Sequence, residues 1–175
     1  MTRLTPVLAI SSLLIANAEG QSVPSVEPLV HEGLIEAPLE TVWQAWTTSE
    51  GLRSWLAPHA EIDLRIGGRM RANYAADGSL DDAGTIENTI LAYEPYRMLS
   101  IRVSKAPANF PFANVIGDMW TVVYFDSPQP GRTHVRVVGL GFTAEPESQA
   151  MRAFFDDGNA TTIRQLQDRL GSGKQ

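Results

Sequence analysis

VWQAWTTSEGLRSWLAP (residues 42–58), followed by DLRIGGRMRANY (residues 63–74), decides the fold. In the first stretch Leu39, Val42, Trp43 and Trp46 form an apolar stripe at helical spacing. After a break at Ser49 to Gly51, Leu52, Trp55 and Leu56 form a second stripe. Two short helices are predicted. In the second stretch Arg69, Arg71 and Asn73 alternate with Met70, Ala72 and Tyr74, the period of a strand. Gly67-Gly68 just before it is a tight hairpin signal.

Working outward, residues 29–35 read as a first strand, closed by Glu36-Ala37-Pro38, with Pro38 suited to the first turn of a helix. Strands are expected over residues 60–66, 69–74, 85–93, 97–103, 120–125 and 133–140. Asp77-Gly78 and Glu94-Pro95 mark turns, and residues 126–132, DSPQPGR, read as a loop. From about Glu145 the period becomes helical, with Met151, Phe154, Phe155, Ile163, Leu166 and Leu170 at three- and four-residue steps and Gly171 capping the end. Such a helix, of about 24 residues, would span about 36 Å. Gly158 in its middle marks either close packing against a strand or a kink that opens a cavity. Because the strands follow one another locally, an antiparallel meander is expected, wet on one face and packed on the long helix with the other.

The amino terminus stands apart. Residues 1–18 carry one positive charge (Arg3), an apolar run from Val7 to Ala16 interrupted by two serines, and the small-x-small site Ala16-Asn17-Ala18. That is the layout of a cleavable signal peptide, too short to span a bilayer. It implies a periplasmic or secreted protein without a stable membrane anchor. Residues 19–28 read as a flexible lead, and residues 29–171 as one domain large enough to bury a core without staples. The chain has no cysteine, which excludes thiol catalysis and Cys-ligated metal. Its net charge of −6, with scattered basic residues, argues against a nucleic-acid partner.

The order and spacing of VWQAWTTSEGLRSWLAP, DLRIGGRMRANY, GTIENTILAYEP and TVVYFDSPQPGRTHVRVVGLGF resemble the SRPBCC or START-like (Bet v 1-like) superfamily. Within it the chain looks like the branch named for the C-terminal domain of the activator of Hsp90 ATPase, over roughly residues 29–170. The resemblance implies an α+β helix-grip fold: a curved antiparallel sheet wrapped around a long C-terminal helix, with two short helices after the first strand. The superfamily includes lipid carriers, hormone receptors, cyclases and co-chaperones, so fold alone leaves function open. Members of the branch usually carry a Gly-Trp pair where this chain has Gly158-Asn159. An amide there either faces the cavity and hydrogen-bonds a ligand or is a solvated helix residue. The loop at residues 104–118 is longer than a hairpin needs. Its apolar tip, Phe110-Pro111-Phe112, either tucks into the core or lies as a lid over a cavity mouth.

Few residues suggest chemistry. His31, His59 and His134 are isolated in sequence, and neither a metal-ligand spacing nor a nucleophile elbow is present. Gly139-Leu140-Gly141 is too short for a phosphate cradle, and Asp81-Asp82 and Asp156-Asp157 point their side chains apart. No cofactor is implied. A pocket remains, expected to be lined by Met70, Tyr74, Ile86, Asn88, Leu99, Ile101, Val135 and Val137 of the sheet, by Trp55, Phe154, Phe155 and Asn159 of the helices, and by Phe110 and Phe112 of the loop. Trp43 and Trp46 are assigned to the core. The leading expectation is an exported protein that binds a small apolar or amphipathic molecule. The alternatives are a polyketide-cyclase or hydrolase-like enzyme using Tyr74, Asn88, His134 or Asp157, and a protein-interaction module of the co-chaperone kind. The oligomeric state is not legible.

Overall fold

The computed structural model describes residues 26–171; the signal-peptide expectation at residues 1–18 and most of the lead lie outside them. The elements run β1 (Leu29–Ile35), α1 (Leu39–Thr47), α2 (Ser49–Trp55), β2 (His59–Ile62), β3 (Arg69–Asn73), β4 (Ile86–Glu94), β5 (Met98–Lys105), a 3-10 turn at Ile116–Asp118, β6 (Trp120–Gln129), β7 (Arg132–Leu140) and α3 (Pro146–Gly171). All strand pairs are antiparallel. The sheet has the order β1-β7-β6-β5-β4-β3-β2, a meander from β2 to β7 with β1 added beside β7. Two irregularities in β4, at Glu87/Asn88 and Ile90/Ala92, bend the sheet about its middle. This is the helix-grip α+β fold expected from the sequence.

The helix break falls one residue earlier than expected. Thr48 is extended, and its hydroxyl accepts from the Gly51 backbone N–H at 2.9 Å, so Ser49 to Gly51 form the first turn of α2. Gly51 is required there by proximity: a Cβ would stand 2.2 Å from the Gln44 carbonyl oxygen of α1. The two helices are locked further by the Trp55 indole, which donates to the Ala45 carbonyl at 2.9 Å.

Two turns also differ. β2 ends at Ile62, and residues 63–68 make a wider connection than a two-residue hairpin. Gly67 donates to the Ile90 carbonyl at 2.8 Å and Gly68 accepts from the Ile90 N–H at 2.9 Å, so the glycine pair reaches across to β4. The expected loop at residues 126–132 is mostly strand: β6 continues to Gln129 and the turn is Pro130-Gly131, with Gly131 at φ +78°. Asn73, assigned to the wet face, is only 3% exposed. Its amide donates to the Ser79 carbonyl at 2.8 Å and accepts from the Ala75 N–H at 3.0 Å, which organises the β3–β4 loop.

The main core gathers Ile35, Val42, Trp43, Ile90, Leu99, Val123, Phe125 and Val135 under α1. Trp43 meets Phe125 edge-on at 5.4 Å, and Trp46 meets Trp55 at 4.9 Å. A second cluster ties Leu29, Ile116, Met119, Phe142 and Met151 to the long loop, with Val26, near the end of the expected lead, packed against it. α3 seats directly on β1. At Gly33 an added Cβ would lie 2.6 Å from Ile163 Cγ2, so only glycine allows this approach.

Candidate ligand-binding site

α3 is buried only near its two ends. Ser148 and Met151 are buried towards one end and Ile163 and Leu166 towards the other, and between them no side chain is buried. Under this middle stretch, between α3 and the sheet, lies a hollow of about 790 Å³. Gly158 borders it with nothing within 4 Å of where a Cβ would be. Of the two readings of this glycine, close packing is therefore overturned. The helix assignment runs through it unbroken.

The floor is apolar: Met70 and Ala72 of β3, Ile86 of β4, Ile101 and Val103 of β5, and Val137 of β7, with Asn88 and Thr121 as polar interruptions. Trp46 and Leu56 close one side. Pro107, Phe110, Met119 and Trp120 close another. The roof, from α3, is mixed. Phe154 and Phe155 stand at one end of it, and Asp157, Asn159, Thr161, Thr162 and Gln165 make up the rest. The hollow is thus apolar towards the sheet and largely polar towards the helix.

Of the fourteen residues expected to line a pocket, Met70, Tyr74, Ile86, Asn88, Ile101, Phe110, Val137, Phe154, Phe155 and Asn159 come together at the hollow. Trp55, Leu99 and Val135 do not. Leu99 and Val135 have the inward parity, but they lie where α1 covers the sheet, and with Trp55 they belong to the packed core. Phe112 packs beside the hollow, 5.7 Å from both Phe110 and Phe154. The loop tip therefore both contributes to the second core cluster and, through Phe110, walls the cavity.

Trp46, assigned to structure, both packs in the core and lines the hollow. Its indole N–H is buried and has no hydrogen-bond partner among the described residues. Ala72, between Met70 and Tyr74 in parity, was findable from the alternation that placed its neighbours. Thr161, Thr162 and Gln165 were not: polar residues on a helix read as solvent-facing, and only the lifted path of α3 turns them over a cavity.

Tyr74 leaves 61% of its surface uncovered, yet desolvation by surrounding protein pushes its hydroxyl above the usual tyrosine pKa. The ring borders the hollow, which is open to solvent on part of its boundary. Asn88 and Asn159 line the same space, and neither side-chain amide makes a hydrogen bond to the described residues. The histidines stay apart from it. His31 meets Asp156 at 2.8 Å, His59 meets the Ala76 carbonyl at 3.3 Å, and His134 faces Glu32 at 3.5 Å beside a separate, smaller concavity. Among the described residues no group of three or more His, Asp or Glu is placed to hold a metal, and no helix is long and apolar enough to cross a membrane.

A curved sheet holding a long helix over a side-chain-lined hollow defines the helix-grip class. Residues 36–171 match the family model described as activator of Hsp90 ATPase homolog 1-like protein, and the chain belongs to that family. Among solved structures it is similar to the Aha1 dimer from Colwellia psychrerythraea (18% identity, 86% of this chain and 100% of that one, TM-score 0.63). It is also similar to protein MLL2253 from Mesorhizobium loti (26% identity, 85% and 100%, TM-score 0.62) and to CalU16 from Micromonospora echinospora (20% identity, 80% and 71%, TM-score 0.56). No curated protein matches.

Proposed function

We propose that this protein binds a small hydrophobic or amphipathic molecule in the hollow between α3 and the sheet. The observation that carries the reading is the 790 Å³ space with an apolar floor, within the range of small-molecule sites. The family supports it at a coarser level, since the fold suits ligand binding or cyclase-like chemistry. The test is titration with the neutral fluorophore N-phenyl-1-naphthylamine. One saturable site is expected in the native protein, and none in an Ala72→Phe variant that fills the floor and still melts cooperatively. Absence of saturable uptake by the native protein sinks the reading. Where uptake is saturable, native mass spectrometry of protein purified from its source is expected to show a retained ligand by its mass.

A second reading, proton-transfer catalysis in the same hollow, rests on Tyr74 and Asp157, the titratable side chains that line it. His134, an earlier candidate, lies elsewhere. That reading requires turnover of a bound compound to fall in Tyr74→Phe and Asp157→Asn with binding retained. Export rests on residues 1–18 alone. A mature amino terminus at Glu19, found by sequencing protein from the extracytoplasmic fraction, is the expected result; an intact Met1 in the cytoplasmic fraction argues against it.

A further inference from the structure

The charge of the hollow's wall is one-sided. Among the described residues Asp157 is the one charged side chain that lines it, and no lysine, arginine or histidine does. Two guanidinium groups contact lining residues without lining the hollow themselves: Arg102 lies over the Trp120 ring at 5.8 Å and Arg164 donates to Thr161 at 2.9 Å. The other described polar groups of the lining are uncharged, and the amides of Asn88 and Asn159 carry both donors and acceptors without a partner among the described residues.

An anion entering this space would leave water without a cationic group among the described lining residues to pair with, and a carboxylate on the roof would oppose it. A hydroxyl or carbonyl loses less on leaving water and finds amides able to bond it in either sense. An ammonium would have Asp157 as a partner. Resting on the binding reading above, we propose that the hollow selects by head-group charge. It takes an amphiphile whose polar end is uncharged or cationic, set against α3, and rejects an anionic one with the same chain.

The experiment displaces bound N-phenyl-1-naphthylamine with dodecanol, dodecylamine and dodecanoate, below their aggregation concentrations, at neutral pH and low salt. Dodecanol and dodecylamine are expected to bind at least about tenfold more tightly than dodecanoate. Equal or tighter binding of dodecanoate overturns the proposal, as does displacement by none of the three while the probe stays bound. Failure of the probe itself to bind strikes instead at the binding reading. In Asp157→Lys the ratio of the dodecanoate to the dodecanol Kd is expected to fall by about tenfold. An unchanged ratio in a cooperatively melting variant removes Asp157 from the account. Should that variant not fold, Asp157→Asn replaces it, with a smaller fall in the same ratio expected and the dodecylamine advantage lost.

Discussion

Gly33 and Gly158 carry the same absent side chain for opposite reasons. At Gly33 the missing Cβ is where Ile163 presses α3 onto β1, 2.6 Å away, and Ile163 is buried. Gly33→Ala is expected to cost about 1–3 kcal/mol, as overpacking of a close contact does. At Gly158 nothing lies within 4 Å, so Gly158→Ala is expected to stabilise the helix by about 0.5–1 kcal/mol. Urea unfolding of the two variants checks both signs. A destabilised Gly158→Ala would mean that the hollow closes in solution. Tyr74 adds a pH dependence. Its folded pKa is raised by desolvation, so the unfolded chain releases this proton first. Stability is expected to hold below the ordinary tyrosine value of about 10 and to fall as pH rises through it, levelling only above the folded value. Tyr74→Phe should lack that part of the fall in melting temperature. Identical alkaline profiles would show that the hydroxyl is as well hydrated in the native protein as in the unfolded one.

Among the elements, strands and helices were legible wherever one face is buried, because burial imposes a period. Met70 and Ala72 alternate with arginines, and the tryptophan helices repeat at three and four. The same logic failed at the turns. Asp126 to Gln129 look like a loop by composition but pair as a polar hairpin end, and Asn73 looks solvated but is buried by its own loop. Hydrogen bonding decides those residues, and it leaves no period. The loop at residues 104–118 combines both cases. Its ring contacts are specific: Phe110 lies 5.7 Å from Phe112 and 5.6 Å from Phe154, both near edge-on, and each such pair contributes about 0.5–1.5 kcal/mol beyond area. Phe110→Ala is expected to loosen the loop, accelerating amide exchange over residues 106–119 and speeding probe release while leaving exchange in β6 and β7 unchanged. Unaltered release with faster loop exchange would separate the loop from the cavity entrance.

For the whole molecule, the hollow itself was only half legible. The floor follows from strand parity, so Met70, Ile86, Ile101 and Val137 could be placed from sequence. The roof depends on how high α3 rides, and that is set by two distant anchors: glycine against Ile163 at one end, and Met151 in the second cluster at the other. An apolar stripe at helical spacing predicts contact along the entire helix. Here Phe154, at the edge of the hollow, remains 50% exposed. A helix held at its ends over empty space is the element whose order an occupant should change most. A ligand that binds only the folded state at one hundred times its Kd adds about 2.7 kcal/mol. For a domain of this size each kcal/mol raises the melting temperature by about 2–4 °C. Saturation with N-phenyl-1-naphthylamine at that ratio is therefore expected to raise it by about 5–11 °C. Most of the new amide protection should fall on residues 152–162, with little at Gly33 or across β6 and β7. A rise in melting temperature with protection spread evenly over the sheet would place the bound molecule somewhere other than beneath α3.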